Sequence, residues 1–328
     1  MSMDNGPAAQ ESGRSFTSPL LDFDHVAGFF AGWDGRFEQL SAGRFEGRLS
    51  LVRGREVRIV SLQCNQVLLA RGRREPGLFT LYAVTPANAG GLWQGRRLTP
   101  GQLVAHGPDA ETNHLSARQI TSVGFSMQAN LIEAAARKLI AADPKDWPHD
   151  WTAFTPPPDR YSDLNARIQR LLSLALADPT ILASPEGVLL EQECIRAVVR
   201  GVIPVQSNRS DTHLSHRGAV VRRAEEFMRA SLQVPLGAVD LCAELGVSDR
   251  TLRLAFRERF GLGPMTYYRA LRLNATRSAL KAEPAREIAK VASDYGFHHL
   301  GNFAADYRRL FGERPSATRA SATRSTRT

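Results

Sequence analysis

Val239-Asp240-Leu241-Cys242-Ala243-Glu244-Leu245-Gly246-Val247-Ser248-Asp249-Arg250-Thr251-Leu252-Arg253-Leu254-Ala255-Phe256 decides the reading of this 328-residue chain. Two short helical patterns flank one glycine. Gly246 can take the left-handed backbone conformation that lets a short turn join two helices at a steep angle. Val247 is placed to plug the gap between them, and Ser248 to cap the free amides of the second helix. Leu252 and Phe256, four residues apart, are expected to face Val239, Leu241 and Cys242 of the first helix. Asp249, Arg250, Arg253 and Arg257 then point outward. A short helix with such a cationic face is what a DNA major groove accepts.

The same grammar returns 50 residues later, counted from Gly246 to Gly296. Ile288-Ala289-Lys290-Val291-Ala292 is the first helix of the second unit, and Tyr295-Gly296-Phe297 its turn. A helix over 299–310 would then bury Phe303, Tyr307 and Leu310. One unit alone reads as any capped pair of helices; two in tandem, joined by a long helix, are far more specific. The periodicity predicts seven helices, near 216–230, 236–244, 248–260, 264–281, 284–294, 299–310 and 315–320. Pro264 stands where a first-turn proline belongs, and Gly246, Gly261 and Gly296 where C-terminal caps belong.

Charge placement agrees. The chain carries a formal +9, with 42 Lys+Arg against 33 Asp+Glu; residues 218–328 hold 19 and 11 of these. Nearly all the excess therefore sits with the paired units, as a polyanion partner requires. The hydrophobic fraction of 43% is ordinary for packed domains. No uncharged apolar run reaches membrane-span length, and Met1 to Arg14 lacks the order of a secretory signal, so no membrane role is expected. Cys64, Cys194 and Cys242 lie far apart and make no metal-ligand spacing, which fits reduced thiols and a cytoplasmic location.

Working toward the N-terminus, residues 204–215 read as a polar linker. Two helical patterns precede it, about 161–177 and 185–201, and another covers about 129–141 before Asp143-Pro144. Between Phe45 and Met127 short alternating segments such as Phe45 to Leu51 are broken by Arg53-Gly54, Glu75-Pro76-Gly77, Ala89-Gly90-Gly91 and Thr99-Pro100-Gly101. Closely spaced short strands of this kind suggest a small barrel or sandwich. Residues 1–20 are polar and are expected to be unstructured, as is a basic tail over 319–328.

Several strings in the last third resemble the AraC/XylS family of bacterial transcription regulators. They are Ser248-Asp249-Arg250-Thr251-Leu252, Gly261-Leu262-Gly263-Pro264, Arg272-Leu273-Asn274 with Arg277, Tyr295-Gly296-Phe297, and Phe311-Gly312-Glu313-Arg314-Pro315-Ser316. His299 through Tyr307 is similar to the branch that includes ethanolamine-utilisation regulators. The resemblance implies an α+β multidomain fold: an N-terminal cupin-like β-barrel or sandwich with following helices, then a C-terminal all-α tandem helix-turn-helix domain. The divisions expected are an effector or dimerisation domain at 21–155, a helical extension at 156–203, the linker at 204–215 and the DNA-binding domain at 216–318.

It also implies reading helices in successive major grooves of double-stranded DNA. Carried over by position, the base-reading candidates are Arg250, Arg253 and Leu254, then Leu300, Gly301, Asn302, Ala304 and Ala305. Arg253 is the foremost candidate for a bidentate guanine contact. Most of the second set cannot donate hydrogen bonds, so that helix is expected to read methyl groups and shape, with Asn302 its one polar reader. Phosphate contacts fall to Ser248, Thr251, Arg257, His298, His299, Arg308 and Arg309. By the same analogy the β-domain would bind a small-molecule effector or form a homodimer, and RNA polymerase would be a partner. Arg58, Tyr82, Trp93, His106, His114 and Phe125 are candidates for lining an effector pocket. His106 and His114 lack the close His-x-His pair of metal cupins, so neither metal nor other cofactor is expected. Two other readings stay open: a constitutive or architectural DNA-binding protein whose N-terminal domain only dimerises, and an enzyme built on the barrel. No nucleophile triad or phosphate loop favours the enzyme.

Overall fold

Alternating apolar residues between turns build the first half of the chain, and helices with one buried stripe build the second. The computed structural model describes residues 13–29, 34–73, 77–108, 110–140, 152–202 and 216–325. Its strands are β1 (Arg14–Leu20), β2 (Asp34–Gln39), β3 (Gly47–Arg53), β4 (Val57–Cys64), β5 (Leu68–Arg73) and β6 (Leu78–Ala83). There follow β7 (Leu92–Trp93), β8 (Arg96–Arg97), β9 (Leu103–His106), β10 (Glu111–Leu115), β11 (Ile120–Gln128) and β12 (Thr152–Phe154). They form two antiparallel sheets, ordered β1-β3-β4-β11-β6-β9-β12 and β2-β5-β10-β7-β8. This is the expected cupin-like sandwich.

The helices are α1 (Asp24–Gly28), α2 (Ala129–Ile140), α3 (Pro158–Ala177), α4 (Pro185–Val202), α5 (His216–Ala230) and α6 (Ala238–Leu245). After them come α7 (Asp249–Phe260), α8 (Pro264–Ala282), α9 (Ile288–Asp294), α10 (Leu300–Phe311) and α11 (Pro315–Ser325). The seven expected C-terminal helices are present, and the long α8 joins the two units. The larger sheet buries one face, through Ile59, Phe79, Leu81 and Phe125, against Ile132, Leu171 and Val198 of α2, α3 and α4. Glu191 of α4, itself buried, accepts hydrogen bonds from the Arg55 and Glu56 amides at 2.9 and 2.8 Å. That contact pins the β3–β4 turn to the helical layer.

Two terminal expectations are corrected. Residues 1–12 lie outside the described residues, but Arg14–Leu20 are not unstructured. They pair along β3 from Arg14↔Arg53 to Leu20↔Gly47, with Thr17 Oγ1 2.8 Å from Ser50 Oγ. The segment is an edge strand, where polar side chains and Pro19 are tolerated. At the other end the last helix runs on to Ser325 instead of stopping near residue 320. Buried Thr318 holds it down, its hydroxyl lying 2.7 Å from the Tyr307 hydroxyl and donating to Glu313 at 2.6 Å. A hydroxyl on a mostly polar helix carries no hydrophobic signature, so periodicity missed it. The linker 204–215, with His213, lies outside the described residues.

Candidate nucleic-acid interface

Each candidate reading helix, α7 and α10, is positioned from below by aromatic packing and from its start by a turn. In the first unit Leu252, Ala255, Phe256 and Phe260 are buried along one stripe of α7, and Phe260 stacks on Tyr267 of α8 at 4.2 Å. Gly246 caps α6 with φ 64°, and the Ser248 hydroxyl accepts from the Thr251 amide at 3.1 Å. Val239, expected in this core, is instead 80% exposed, while Leu241 is buried. It occupies the second position of α6, one residue off the buried stripe.

In the second unit Phe303, Tyr307, Leu310 and Phe311 are the buried stripe of α10. The buried positions Leu252, Phe256 and Phe260 thus recur as Phe303, Tyr307 and Phe311, and the C-terminal caps Gly261 and Gly312 recur with φ 68° and 70°. The helices repeat at 51 residues while the turn glycines repeat at 50, so the second turn holds one extra residue. Gly296 (φ +71°) follows the cap residue Tyr295, and an added Cβ there would lie 2.2 Å from Arg272 Nη2. Arg272 fills that space. Its Nε donates to the Tyr295 carbonyl at 2.6 Å, and its guanidinium lies 4.6 Å from the Phe297 ring centre. The connecting helix α8 is stapled to the second turn by this side chain.

The outward faces differ in chemistry. Arg250, Arg253, Leu254 and Arg257 are exposed on α7, with Thr251 half-buried beside exposed Ser248. Arg253 Nε donates to Asp249 Oδ1 at 2.9 Å, one turn earlier on the same helix. At the structurally equivalent positions α10 shows Gly301, Ala304, Ala305 and Arg308, together with exposed Leu300, Asn302 and Arg309. Leu254 and Leu300, at 42% and 46% exposure, are large apolar side chains left open on both helices. A recess of about 290 Å³ beside the start of α10 is bordered by Arg269, Arg272, His298, His299 and Asn302.

The β-domain grips both units, which sequence reasoning did not foresee. Against the first, Glu38 accepts from Arg229 Nη1 and Nη2 at 2.7 and 2.6 Å. Arg71 pairs with buried Glu225, which also accepts from the Tyr267 hydroxyl, and Arg259 near the end of α7 donates to Asn113 at 3.3 Å. Burial and the Glu225 charge push the Tyr267 hydroxyl well above its ordinary pKa. Against the second, Asp22 and Asp24 face Arg277 and Lys281 of α8, and Phe23 stacks on Phe311 at 6.2 Å. Gln39 and Asn274 exchange two hydrogen bonds of 3.0 and 2.9 Å. The Gly43 amide donates to the carbonyls of Arg309 and Leu310 at 3.1 Å, at the end of α10. Acidic residues scattered before β2 and basic ones on α8 meet only through the fold, so no local pattern could have paired them.

Between the two sheets lies a cavity of about 80 Å³. Tyr82, Trp93 and His114 stand on its wall. His106 is buried behind them, its ring 5.3 Å from Tyr82 and 5.2 Å from Trp93. Two candidates for the wall are placed elsewhere. Phe125 points to the opposite face of the larger sheet, into the core under the helices, because strand alternation puts it with Ile59 and Leu81. Arg58, on β4 before Val60 and Leu62, does not border the cavity. The smaller sheet is a wall shared with the helical domain. Phe37, Ala70 and His114 pair side by side and face the cavity; their neighbours Glu38, Arg71 and Asn113 face the helices.

Comparison with known proteins places the helical part. Residues 241–321 match the family described as helix-turn-helix domain. The chain is 35% identical over 99 residues to the probable thc operon regulatory protein of Rhodococcus erythropolis, covering 30% of each. It is 40% identical over 102 residues to XylDLEGF operon transcriptional activator 2 of Pseudomonas putida, covering 30% of this chain and 62% of that one. The chain therefore spans less than two thirds of these relatives' length. Among solved structures, a probable AraC family transcriptional regulator from Rhodopseudomonas palustris is 35% identical. That similarity covers 32% of this chain and 97% of that one, with a TM-score of 0.30.

Proposed function

Because the chain belongs to the AraC/XylS family, we propose that it is a sequence-specific DNA-binding transcription regulator, working as an effector-responsive activator in the cytoplasm. One observation carries the DNA reading: α7 and α10 both turn their non-core faces outward, and every base-reading candidate on them is exposed. The paired units would occupy successive major grooves on one side of the duplex, ~34 Å apart by the helical repeat. Arg250 and Arg253 supply directional donors to the first groove. Leu300, Gly301, Ala304 and Ala305 offer the second a close-fitting apolar surface with Asn302 as its polar reader, and Leu254 adds an apolar contact to the first. Arg257, Arg308, Arg309, His298 and His299 surround these faces and suit phosphates, as do Ser248 and Thr251 at the start of α7.

The shared wall supports the effector reading. Whatever fills the cavity presses on the strands whose opposite side chains hold Arg229, Glu225 and Arg259 of the helical domain. Occupancy thus acts on the clamp that sets how the two units sit, which is the differential contact a ligand needs to shift a conformational balance. Promoter activation through RNA polymerase and pairing of two copies belong to this reading, and the relatives in Pseudomonas putida are named as activators. The test is selection of bound sequences from a random duplex library with the full chain. Enrichment of a two-part site with halves one helical turn apart is the expected outcome, and recovery of unenriched DNA at moderate salt would overturn the reading. Arg253→Ala should relax preference in one half by about 1–3 kcal/mol per lost base contact. Arg308→Ala should weaken all sequences alike and lower the salt slope by about 1.

A further inference from the structure

We propose that the cavity of the β-domain takes a small, uncharged ring compound, a single six-membered ring with one hydrogen-bonding atom that meets the Thr112 hydroxyl. This rests on reading the β-domain as the effector domain, and it names the chemistry of that effector. Size comes first. A volume of about 80 Å³ is about half the roughly 150 Å³ of a dry engineered cavity that takes benzene. One ring with a small substituent is therefore the upper bound, and the wall has to yield to admit it. A long acyl chain or a disaccharide does not fit.

Polarity comes second. The wall is built from Phe37, Val60, Leu62, Leu68 and Trp93, so most of an occupant's surface meets hydrocarbon or an aromatic ring. Polar side chains interrupt it: Tyr82 of β6 and Ser122 of β11 on the larger sheet, and on the smaller one Thr112 and His114, alternate residues of β10, with Ser116 just beyond the strand. Ser116 Oγ is already engaged, accepting from the Leu68 amide at 2.9 Å. Asn88 is likewise spent, its amide donating to the Ala83 carbonyl and its oxygen accepting from the Thr85 amide. Thr112 is not spent. It is 4% exposed, and its Oγ1 finds no hydrogen-bond partner among the described residues. A buried hydroxyl without a partner costs stability that a bound polar atom restores. Among the described lining residues His114 alone can carry positive charge, and its ring sits 5.7 Å from Trp93. A carboxylate here would lose its hydration for a mainly hydrocarbon wall, which disfavours anions.

The experiment measures binding to the full-length protein directly, without DNA. Phenol, toluene, benzamide and benzoate are titrated by calorimetry and by thermal stabilisation. Phenol and benzamide should bind, toluene more weakly, and benzoate at least tenfold more weakly than benzamide. Thr112→Val, nearly the same shape, should weaken phenol about tenfold and leave toluene unchanged. Ala70→Leu, narrowing the cavity, should weaken all four. Its folding is checked by circular dichroism, and the Thr112→Val comparison stands without it. Benzoate matching benzamide, an equal loss of phenol and toluene in Thr112→Val, or no binding by any ring compound would each overturn the proposal. A ring compound that binds as described but leaves operator affinity unchanged would refute the effector reading while leaving the cavity chemistry intact.

Discussion

Arg277 ties the β-domain to the second helix-turn-helix unit, and replacing it with methionine should cost about 3 kcal/mol of stability, by an argument from buried ion pairs. Its side chain is 6% exposed and lies 2.8 Å from Asp22, 2.5 Å from Asp24 and 3.8 Å from Glu313. The guanidinium also sits 4.5 Å from the Phe23 ring centre and 5.4 Å from that of Phe311. Breaking one side of a buried pair costs about 3–5 kcal/mol, because the other charge is left stranded. Lys281 remains beside both aspartates, which places the loss at the low end. Methionine keeps the stem's packing, so lost contact area adds little. Asp22→Asn with Asp24→Asn should cost about 4 kcal/mol, since among the described residues Arg277 then keeps only the distant Glu313 as a carboxylate partner and Lys281 loses both aspartates. The decisive quantity is the coupling. The triple variant should lose about 1.5–3 kcal/mol less than the sum of the two effects. Urea titration followed by helical circular dichroism measures all four proteins. The coupling should persist at raised salt, because buried charges are screened less than exposed ones. Additive losses, within about 0.5 kcal/mol, would show that the two domains do not meet through this cluster.

Acid should loosen the same contact. Burial alone would raise the Asp22 carboxyl, but Arg277 and Lys281 outweigh it and hold the group well below its ordinary 3.8. A carboxyl with a depressed folded pKa stabilises above its unfolded value and loses that contribution as pH falls through the folded one. The stability gap between the wild type and Asp22→Asn should therefore be constant above about pH 5 and shrink as pH falls below about 4; a gap that widens with acid would contradict the pairing. Gly261 and Gly312 offer a matched comparison, since both have positive φ but only at Gly312 would a Cβ meet the Arg44 backbone, at 2.6 Å. Gly261→Ala should cost about 1–2 kcal/mol of strain, and Gly312→Ala distinctly more in urea titration, with equal losses counting against the docking. In a binding-site selection Arg253→Ala should erase more base preference than Asn302→Ala, because α7 carries the directional donors; the reverse order would assign the reading to α10.

The helix-turn-helix units were legible because each depends on local chemistry. A left-handed glycine, a serine cap and apolar residues four apart leave traces in fewer than twenty residues. The alternation of β3 and the punctuation after it likewise announced a sandwich. What stayed hidden depends on distant partners. The strand Arg14–Leu20 forms because β3 offers an edge, a fact about a neighbour and not about its own polar sequence. Phe125 and Tyr82 look alike as aromatic strand residues, yet one faces the helical core and the other the cavity. Only sheet register separates them. The extra residue in the second turn was masked because the glycines repeat at 50 while the buried stripes repeat at 51.

The two reading helices are unequal in a way that makes the clamp meaningful. A helix with arginines on its face can find its register through directional hydrogen bonds, and in the proposed reading Arg250 and Arg253 of α7 would serve that task. A face of Gly301, Ala304 and Ala305 has no such guide, and reads a groove only if it is delivered at the right depth and angle. Delivery is what the β-domain provides. Near the end of α7 it reaches Arg259 through one hydrogen bond from that side chain to Asn113. The end of α10 is held by Gly43 and Gln39 on its final carbonyls, by Phe23 against Phe311, and by the close approach of Arg44 to Gly312. The weaker reader has the firmer support. The smaller sheet itself meets the first unit through Glu38, Arg71 and Asn113 and touches α10 through Gln39. A shift of that sheet would therefore move α7 against an α10 held largely by segments outside it, and a signal from the cavity would change how the two helices are spaced.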